Sequence, residues 1–233
     1  MELRVSRHAA DLAFDAARYI QGSIGQNSVI GVATGRTPLA LYQALAELGD
    51  ISVVGGFALD EYLGVGEEQP GSFASYVREN VEPALRLSPG LIRVPNGLAK
   101  DPQAEADEFE AEILKSPIDL QILGVGANGH LAFNEPGSSA TSLTRVVELA
   151  EQTRQDNQPD FPGEIPKKAI TQGIGTISRA GKLCLLASGE KKVEALRRLL
   201  MEEEDESWPV TLISKHADLM VFTDEKTLGL TQN

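Results

Sequence analysis

The residues best suited to proton transfer stand in one glycine-punctuated loop that follows an apolar run. Residues 118–123 predict a buried strand, and the loop after it brings Asn128, His130 and Glu135 close together in the chain. In open α/β sheets the loops after the carboxyl ends of the strands line the ligand crevice, so this loop would present an imidazole and a carboxylate to a substrate. The alternative is a tight turn with one core histidine, because glycine motifs alone are weak signals.

A second loop has the features of an anion-binding site. Thr37 as a hydroxyl N-cap and Pro38 at the first helical position predict the start of a helix. A helix N-terminus offers unpaired amide groups and a positive dipole end to a phosphate. This loop follows the apolar strand predicted over residues 29–33 and consists of Thr34, Gly35, Arg36, Thr37 and Pro38. The alternative is an ordinary strand–helix connection that binds no anion.

Two further strand ends carry charged side chains. Residues 53–59 predict a strand that ends in Asp60 and Glu61, and the alternation of an extended chain predicts that only one of these carboxylates points inward. Residues 182–187 predict another strand, and the loop after it supplies Lys192 for an anion. Together the four loops predict a site that binds a phosphate and moves protons on a sugar.

The order of the predicted elements indicates the fold class. Strand-length apolar runs alternate with stretches of helical periodicity, which predicts an α/β fold with a doubly wound, mostly parallel, Rossmann-like sheet. Because no low-complexity linker divides the chain, residues 1–233 are expected to form one domain. Residues 169–177 are expected to be helical, and residues 136–168 to form a polar, irregular connection.

Composition disfavours several classes of partner. The 233-residue chain has a formal net charge of −13, which argues against nucleic acid and anionic membranes as partners. A lone cysteine, Cys184, rules out an intramolecular disulfide and predicts a reducing, cytoplasmic location. Asp11 and Asp15 interrupt what would be the apolar core of a signal peptide, and no apolar stretch has the length of a membrane span. With three histidines and one cysteine, a zinc site is not expected.

Four motifs, taken in chain order, resemble those of one known family. They are Ala-Thr-Gly-Arg-Thr-Pro at 33–38, Leu-Asp-Glu-Tyr at 59–62, the stretch 124–136 with its Gly-His-Leu-Ala-Phe-Asn-Glu-Pro segment, and residues 187–192. The chain resembles the glucosamine-6-phosphate deaminases over nearly its whole length. The related 6-phosphogluconolactonases share the fold and the start of the third motif, but they continue after the histidine with Thr-Ala-Ser.

The resemblance implies a reaction in which an aminosugar phosphate and water give fructose 6-phosphate and ammonia, with no metal or organic cofactor. By this analogy His130 opens the pyranose ring, while Asn128 and Glu135 hold and tune the imidazole. Asp60 would move a proton between C2 and C1, and the segment at about 140–167 corresponds to a mobile lid. The residues expected to bind the phosphate are Thr34, Gly35, Arg36, Thr37 and Lys192.

Three positions depart from the family pattern. Some members carry aspartate in place of Asn128, and an amide raises the pKa of an adjacent imidazole less than a carboxylate does. The lid arginine of many members is absent from residues 157–160, so Arg36 is expected to take over the phosphate contact; the alternative is a surface arginine. Val147 stands two residues after Arg145 where allosteric hexameric members have lysine. This difference disfavours allosteric regulation and favours a monomer or small homo-oligomer.

Two other functions remain open on the sequence alone. A 6-phosphogluconolactonase-type hydrolase would use the same phosphate loops but needs no proton transfer at C2. A sugar-phosphate-binding regulator that has lost turnover would fit the missing lid arginine, although Asp60, His130 and Glu135 are retained. All three functions take a small phosphosugar as ligand.

Overall fold

The main element of the structure, a computed structural model, is a parallel sheet of seven strands; residues 1–49, 51–201 and 203–229 are described. Its strands are β1 (Glu2–Ser6), β2 (Val29–Val32), β3 (Gly55–Ala58), β5 (Ile92–Arg93), β6 (Leu120–Gly124), β9 (Lys182–Ala187) and β10 (Leu219–Asp224). Across the sheet they lie in the order β1, β10, β9, β6, β2, β3 and β5. A smaller antiparallel sheet has the order β4 (Asp60–Tyr62), β8 (Lys168–Thr171) and β7 (Arg145–Glu148).

The direction of the chain along the large sheet reverses between β2 and β6. From β2 the chain moves outward to β3 and β5, and from β6 it moves the opposite way to β9 and β10. Right-handed crossovers in the two directions place the connecting helices on opposite faces, which makes the sheet doubly wound, as predicted. In such sheets ligands bind at the carboxyl ends of the strands that flank the reversal, here β2 and β6.

The helices bury the apolar positions that the sequence spaces three and four residues apart. The first helix buries Leu12, Ala16 and Ile20 among others. The Asp101 side chain accepts hydrogen bonds from two backbone amides of the fourth helix and so caps its start before a proline. No helix in the described ranges is long and apolar enough to span a bilayer. The helices are α1 (Ala9–Ser23), α2 (Arg36–Leu48), α3 (Phe73–Tyr76), α4 (Pro102–Lys115), α5 (Glu151–Asn157), α6 (Ile174–Ile177) and α7 (Val193–Leu200).

The predicted start of α2 is wrong by two residues. The helix begins at Arg36 after Gly35, and no side chain caps it, so Thr37 is not the N-cap. Gly35 has a φ of 105°, a conformation that favours glycine, and it turns the chain into the helix early. Pro38 is then the third helical residue, where a missing N–H costs no intrahelical hydrogen bond.

The small sheet overturns two expectations about the second half of the chain. Residues 169–177 are not one helix, because Lys168–Thr171 forms β8 and only Ile174–Ile177 is helical. The connection expected to be irregular contains β7 and α5. Pairing with β4 and β7 satisfies the backbone of β8 on both sides, and this non-local pairing outweighs a weak local preference for helix.

A separate apolar cluster packs the segment 140–167 against β4 and the loop after β6. Tyr62 packs on Phe133 with ring centroids 5.4 Å apart and on Phe161 at 5.5 Å. Phe73 lies over Tyr62 at 4.7 Å. Leu149 is also buried in this cluster, so β4, the loop after β6 and the segment 140–167 share one small core.

A buried carboxylate, Glu110 of α4, joins this helix to the residue before β7 and to the region of α6. It accepts hydrogen bonds from Thr144, from Thr176 at 2.7 Å and from the Arg179 guanidinium at 2.6 Å. Burial raises the pKa of Glu110, but these hydrogen bonds and the arginine charge outweigh it and leave the pKa below its ordinary value. The ionised form therefore contributes stability near neutral pH.

Substituting Glu110→Gln is expected to lower the free energy of unfolding at pH 7 by roughly 1–3 kcal/mol, because buried hydrogen bonds to a charge are replaced by weaker ones. The folded-state pKa is depressed, so this stability is present above the unfolded pKa and is lost as the pH falls through the folded pKa. Urea unfolding at pH 7 and below pH 4 measures both effects. Glu108→Gln, an exposed change on the same helix, is the control. Equal losses of unfolding free energy in the two variants would contradict the stabilising role of the ionised Glu110 carboxylate.

Candidate active site

Four adjacent strands of the large sheet deliver the sequence-predicted residues to one edge. The order β9, β6, β2, β3 places their carboxyl ends side by side. Lys192 follows β9, His130 follows β6, Arg36 follows β2, and Asp60 follows β3 by two residues. The two central loops flank the reversal point of the sheet, where a ligand crevice is expected.

The His130 imidazole is held by a short relay of side chains. Its Nδ1 lies 2.8 Å from Oδ1 of Asn128, and that oxygen also accepts the His130 backbone N–H at 3.2 Å. The Asn128 amide nitrogen donates to Oε2 of Glu135 at 2.9 Å. A second donor, the hydroxyl of Thr153, contacts the other carboxylate oxygen of Glu135. The relay therefore links Thr153, Glu135, Asn128 and His130.

The chemistry of this relay fixes the tautomer of the imidazole. A carboxylate accepts only, so the Asn128 nitrogen must face Glu135 and the Asn128 oxygen must face His130. The amide oxygen cannot donate, so the hydrogen of the neutral ring is on Nδ1. Nε2 then carries a free lone pair and can accept a proton.

Electrostatics favour the neutral form of this histidine. Burial lowers the pKa of His130, and the Lys192 charge lowers it further. The negative charges of Glu135 and Asp156 act in the opposite direction without reversing the shift. The pKa of the imidazole is therefore below its ordinary value, and at neutral pH the ring can act as a base.

Glycine allows the imidazole to lie directly over the backbone. A Cβ added at Gly126 would stand 2.2 Å from Cε1 of His130, so only glycine fits beneath the ring. Gly129 has a φ of 81°, and a side chain there would also meet Trp208. The loop therefore requires glycine at both positions.

Asp60 and Glu61 are both buried, which corrects the expectation that only one would point inward. Glu61 is 1 % exposed and accepts backbone N–H groups of Tyr62, Phe73 and Ala74. It therefore anchors the start of α3, a function that alternation along the strand cannot predict. Burial raises the pKa of Glu61 to about 7, although the three amide donors oppose the shift.

Asp60 is the candidate proton-transfer carboxyl at this strand end. It is 5 % exposed, and its backbone pairs with Thr171 of β8. Burial raises the pKa of the Asp60 carboxyl well above its ordinary range, and the Glu61 charge adds to the shift. Strongly perturbed carboxyls of this kind concentrate at functional sites.

A buried amide, Asn134, connects the loop of His130 to the strand that carries Asp60. Its Nδ2 donates to the backbone oxygen of Leu131 at 2.9 Å and to that of Gln172 at 2.7 Å. The Gln172 N–H in turn donates to the Leu59 carbonyl at 2.8 Å. The sequence reasoning did not identify Asn134 or Gln172, since their effect depends on contacts across the fold.

Arg145 has a structural partner in the same network. Its guanidinium donates to Oδ1 of Asn134 at 2.9 Å. A cavity of about 410 Å³ lies beside this contact and is lined by Arg145, Val147 and Glu148 among others. Two residues after Arg145, Val147 thus places an apolar side chain at the edge of this cavity, next to the acidic Glu148.

The predicted phosphate residues divide between two loops. Thr34, Gly35 and Arg36 lie where β2 gives way to α2, and Tyr76 donates to the Gly35 carbonyl at 2.8 Å. Lys192 ends a 3₁₀ turn after β9, and burial lowers the pKa of its ammonium group. The positive charge of Lys192 also lowers the pKa of His130, so the ammonium group and the imidazole interact electrostatically.

The segment 140–167 contributes contacts that sequence spacing did not indicate. Thr153 and Asn157 lie one turn apart on α5, and Asn157 donates to the Tyr62 hydroxyl at 3.1 Å. The negative charge of Asp156, on the same helix, acts to raise the pKa of His130 and of Lys192. Within the described ranges, no three His, Cys, Asp or Glu side chains cluster in a way that could hold a metal ion.

Comparison with known proteins agrees with this geometry. Residues 4–222 match the family described as glucosamine-6-phosphate isomerases/6-phosphogluconolactonase. The chain belongs to this family.

Relatives within the family include curated glucosamine-6-phosphate deaminases. The chain is 36% identical to that of Thermoanaerobacter pseudethanolicus over 99% of its own length and 95% of the relative's. It is 37% identical to that of Corynebacterium aurimucosum over 100% and 95% of the two chains. The enzyme of Bacillus cytotoxicus is 40% identical over 88% and 78%.

Solved structures of the family superimpose on the whole chain. A monomeric glucosamine-6-phosphate deaminase matches with a TM-score of 0.92 and 36% identity, covering 99% of this chain and 100% of the other. The 6-phosphogluconolactonase from Trypanosoma cruzi matches with a TM-score of 0.79 at 19% identity, covering 100% and 97%. The second likeness is one of fold.

Gly126→Ala is expected to displace the His130 ring, because the added methyl group would occupy the space of the imidazole. Gly124→Ala, two residues earlier, is the matched control, since a Cβ there meets nothing within 4 Å. The Cε1–H signals in a ¹H–¹³C NMR spectrum report on the three histidines separately. The His130 signal should shift in Gly126→Ala alone, while those of His8 and His216 stay in place. An unchanged His130 signal would contradict the close packing.

Proposed function

We propose that this member of the family is a glucosamine-6-phosphate deaminase, which converts glucosamine 6-phosphate and water into fructose 6-phosphate and ammonia. The observation that carries the proposal is the presence of two proton-transfer groups at one sheet edge: an imidazole with its Nε2 free, and a buried carboxyl, Asp60. The curated relatives that span nearly the whole chain bear the same name. A lactonase has no need of a second group for proton transfer at carbon.

Ring opening is assigned to His130. Neutral Nε2 takes the proton of the C1 hydroxyl and returns it to the ring oxygen, so the C1–ring oxygen bond breaks and an open-chain aldehyde forms. Asn128 and Glu135 keep the hydrogen on Nδ1 throughout. The lowered pKa of His130 supports this assignment, because the ring enters the step unprotonated at neutral pH.

Isomerisation is assigned to Asp60. Its carboxylate removes the proton from C2 while the ammonium group of the substrate gives a proton to the aldehyde oxygen, so the aldehyde becomes an enolamine. The protonated Asp60 then delivers its proton to C1, and the enolamine becomes a protonated C2 imine. Water adds to this imine, and ammonia leaves with fructose 6-phosphate as the other product. The raised pKa of Asp60 supports the role, since it makes the carboxylate a stronger base than an exposed aspartate.

Phosphate binding is assigned to the loops after β2 and β9. Thr34, Gly35 and Thr37 would offer hydroxyl and amide donors at the start of α2, and Arg36 and Lys192 would offer positive charge. In a chain of net charge −13, binding of an anion requires this local concentration of donors. The segment 140–167 would close over the bound sugar as a lid.

We further propose a cytoplasmic monomer or small homo-oligomer without allosteric control. Monomeric assembly is supported by the 0.92 TM-score to a monomeric deaminase. Val147 and Glu148 beside Arg145 make the neighbouring cavity a poor site for an anionic effector. The single buried thiol, Cys184, fits a reducing compartment.

The first test measures ammonia and fructose 6-phosphate released from glucosamine 6-phosphate, beside hydrolysis of 6-phosphogluconolactone. Equal amounts of ammonia and ketose are expected, and Asp60→Asn should lower this rate by at least about 10²-fold because the base at C2 is lost. Asp107→Asn, exposed on α4, is the control. Lactone turnover without ammonia would establish the lactonase, and binding of fructose 6-phosphate without any turnover would establish a regulator.

Arg36→Ala is expected to raise the KM for glucosamine 6-phosphate roughly tenfold to a hundredfold, the effect of losing one charge-assisted contact of about 1.5–3 kcal/mol. Arg18→Ala, an exposed change on α1, should leave KM unchanged. Initial rates over a range of substrate concentrations provide the comparison. An unaltered KM in Arg36→Ala would show that Arg36 does not bind the phosphate and is a surface arginine.

A further inference from the structure

Thr153 contacts the catalytic relay from outside the loop that contains it. It lies on α5, is 3 % exposed, and donates its hydroxyl hydrogen to Oε1 of Glu135. The other donor to this carboxylate, Asn128, comes from the loop after β6. Glu135 therefore has one hydrogen bond to each of two separate elements.

The position of the Glu135 carboxylate determines how the imidazole is held. Its Oε2 lies 3.8 Å from Nδ1 of His130, close enough for a small rotation to replace the present Asn128-mediated link with a direct ion pair. The Thr153 hydroxyl opposes that rotation, because it holds Oε1 on the side of α5. With the hydroxyl in place, the imidazole faces a neutral amide and stays unprotonated.

We infer that Thr153 is a positioning residue, which couples the placement of α5 to the orientation and basicity of His130. This inference rests on the proposed function for its effect on turnover. The helix is also fixed at its end, where Asn157 donates to Tyr62, the second residue after Asp60. One short helix thus contacts the His130 relay through Thr153 and the strand that carries Asp60 through Asn157.

The charged groups that act on the imidazole come from three elements. Glu135 is in its own loop, Lys192 follows β9, and Asp156 is on α5. Thr153→Val removes only the hydroxyl and leaves these charges and the side-chain volume in place. A change in the titration of His130 in this variant would therefore come from movement of Glu135.

The experiment compares Thr153→Val with Thr153→Ser, which restores the hydroxyl, and with Gln155→Ala, an exposed change on α5. In the valine variant the pKa of His130, followed by NMR, should rise, and kcat should fall roughly tenfold to a hundredfold with little change in KM. The acidic limb of the kcat/KM profile should move to higher pH. Serine should reverse all three effects, and Gln155→Ala should show none.

The possible outcomes overturn different statements. An unchanged His130 titration in Thr153→Val, or the same titration change in Gln155→Ala, would refute the positioning role whether or not the protein is active. Failure of the wild-type protein to release ammonia would refute the proposed function, and the NMR titration would still decide the role of Thr153. A loss of thermal stability in both Thr153 variants without a pKa change would make the residue structural only.

Discussion

The hydrogen bonds of one buried side chain, Asn134, determine whether the candidate site exists as a unit. The amide is fully buried, and it joins its own loop to Gln172, whose backbone holds Leu59 next to Asp60. Each unmade hydrogen bond there would cost about 1–3 kcal/mol, so the two segments are held in a single arrangement. The imidazole and the carboxyl thus share one support, although they follow strands that are not neighbours in the sheet.

The candidate site contains positively charged side chains although the chain as a whole is acidic. The chain carries a net charge of −13, yet Arg36 and Lys192 follow strand ends on either side of the imidazole loop. Burial lowers the pKa of His130 and raises the pKa of the Asp60 carboxyl well above its ordinary range. A net negative charge of this size disfavours anion binding in general, so recognition of a phosphosugar depends on local donors.

The sequence was sufficient for the four adjacent strands β9, β6, β2 and β3 and for their carboxyl ends, and insufficient for the edge strands β1 and β5 and for the contacts between the loops. An apolar run followed by glycine is a local signal, and it located the loops of His130 and Arg36 directly. The burial of Glu61 depends on amides of α3 more than ten residues away in the chain, and β8 exists because β4 and β7 pair with it on both sides. Neither effect has a local pattern. The start of α2 was misplaced because a positive φ at Gly35 outweighed the preference of threonine for the N-cap.

The ladder between β7 and β8 has a consequence for how such enzymes diverge. It places the segment 140–167 by backbone hydrogen bonds, which are the same for almost any side chain. Mutations at exposed positions of α5 can therefore accumulate without moving the helix, provided that Thr153 and the aromatic cluster around Tyr62 persist. Exchange of an exposed side chain in this segment is then neutral for folding, so substrate range can drift while the reaction itself is preserved.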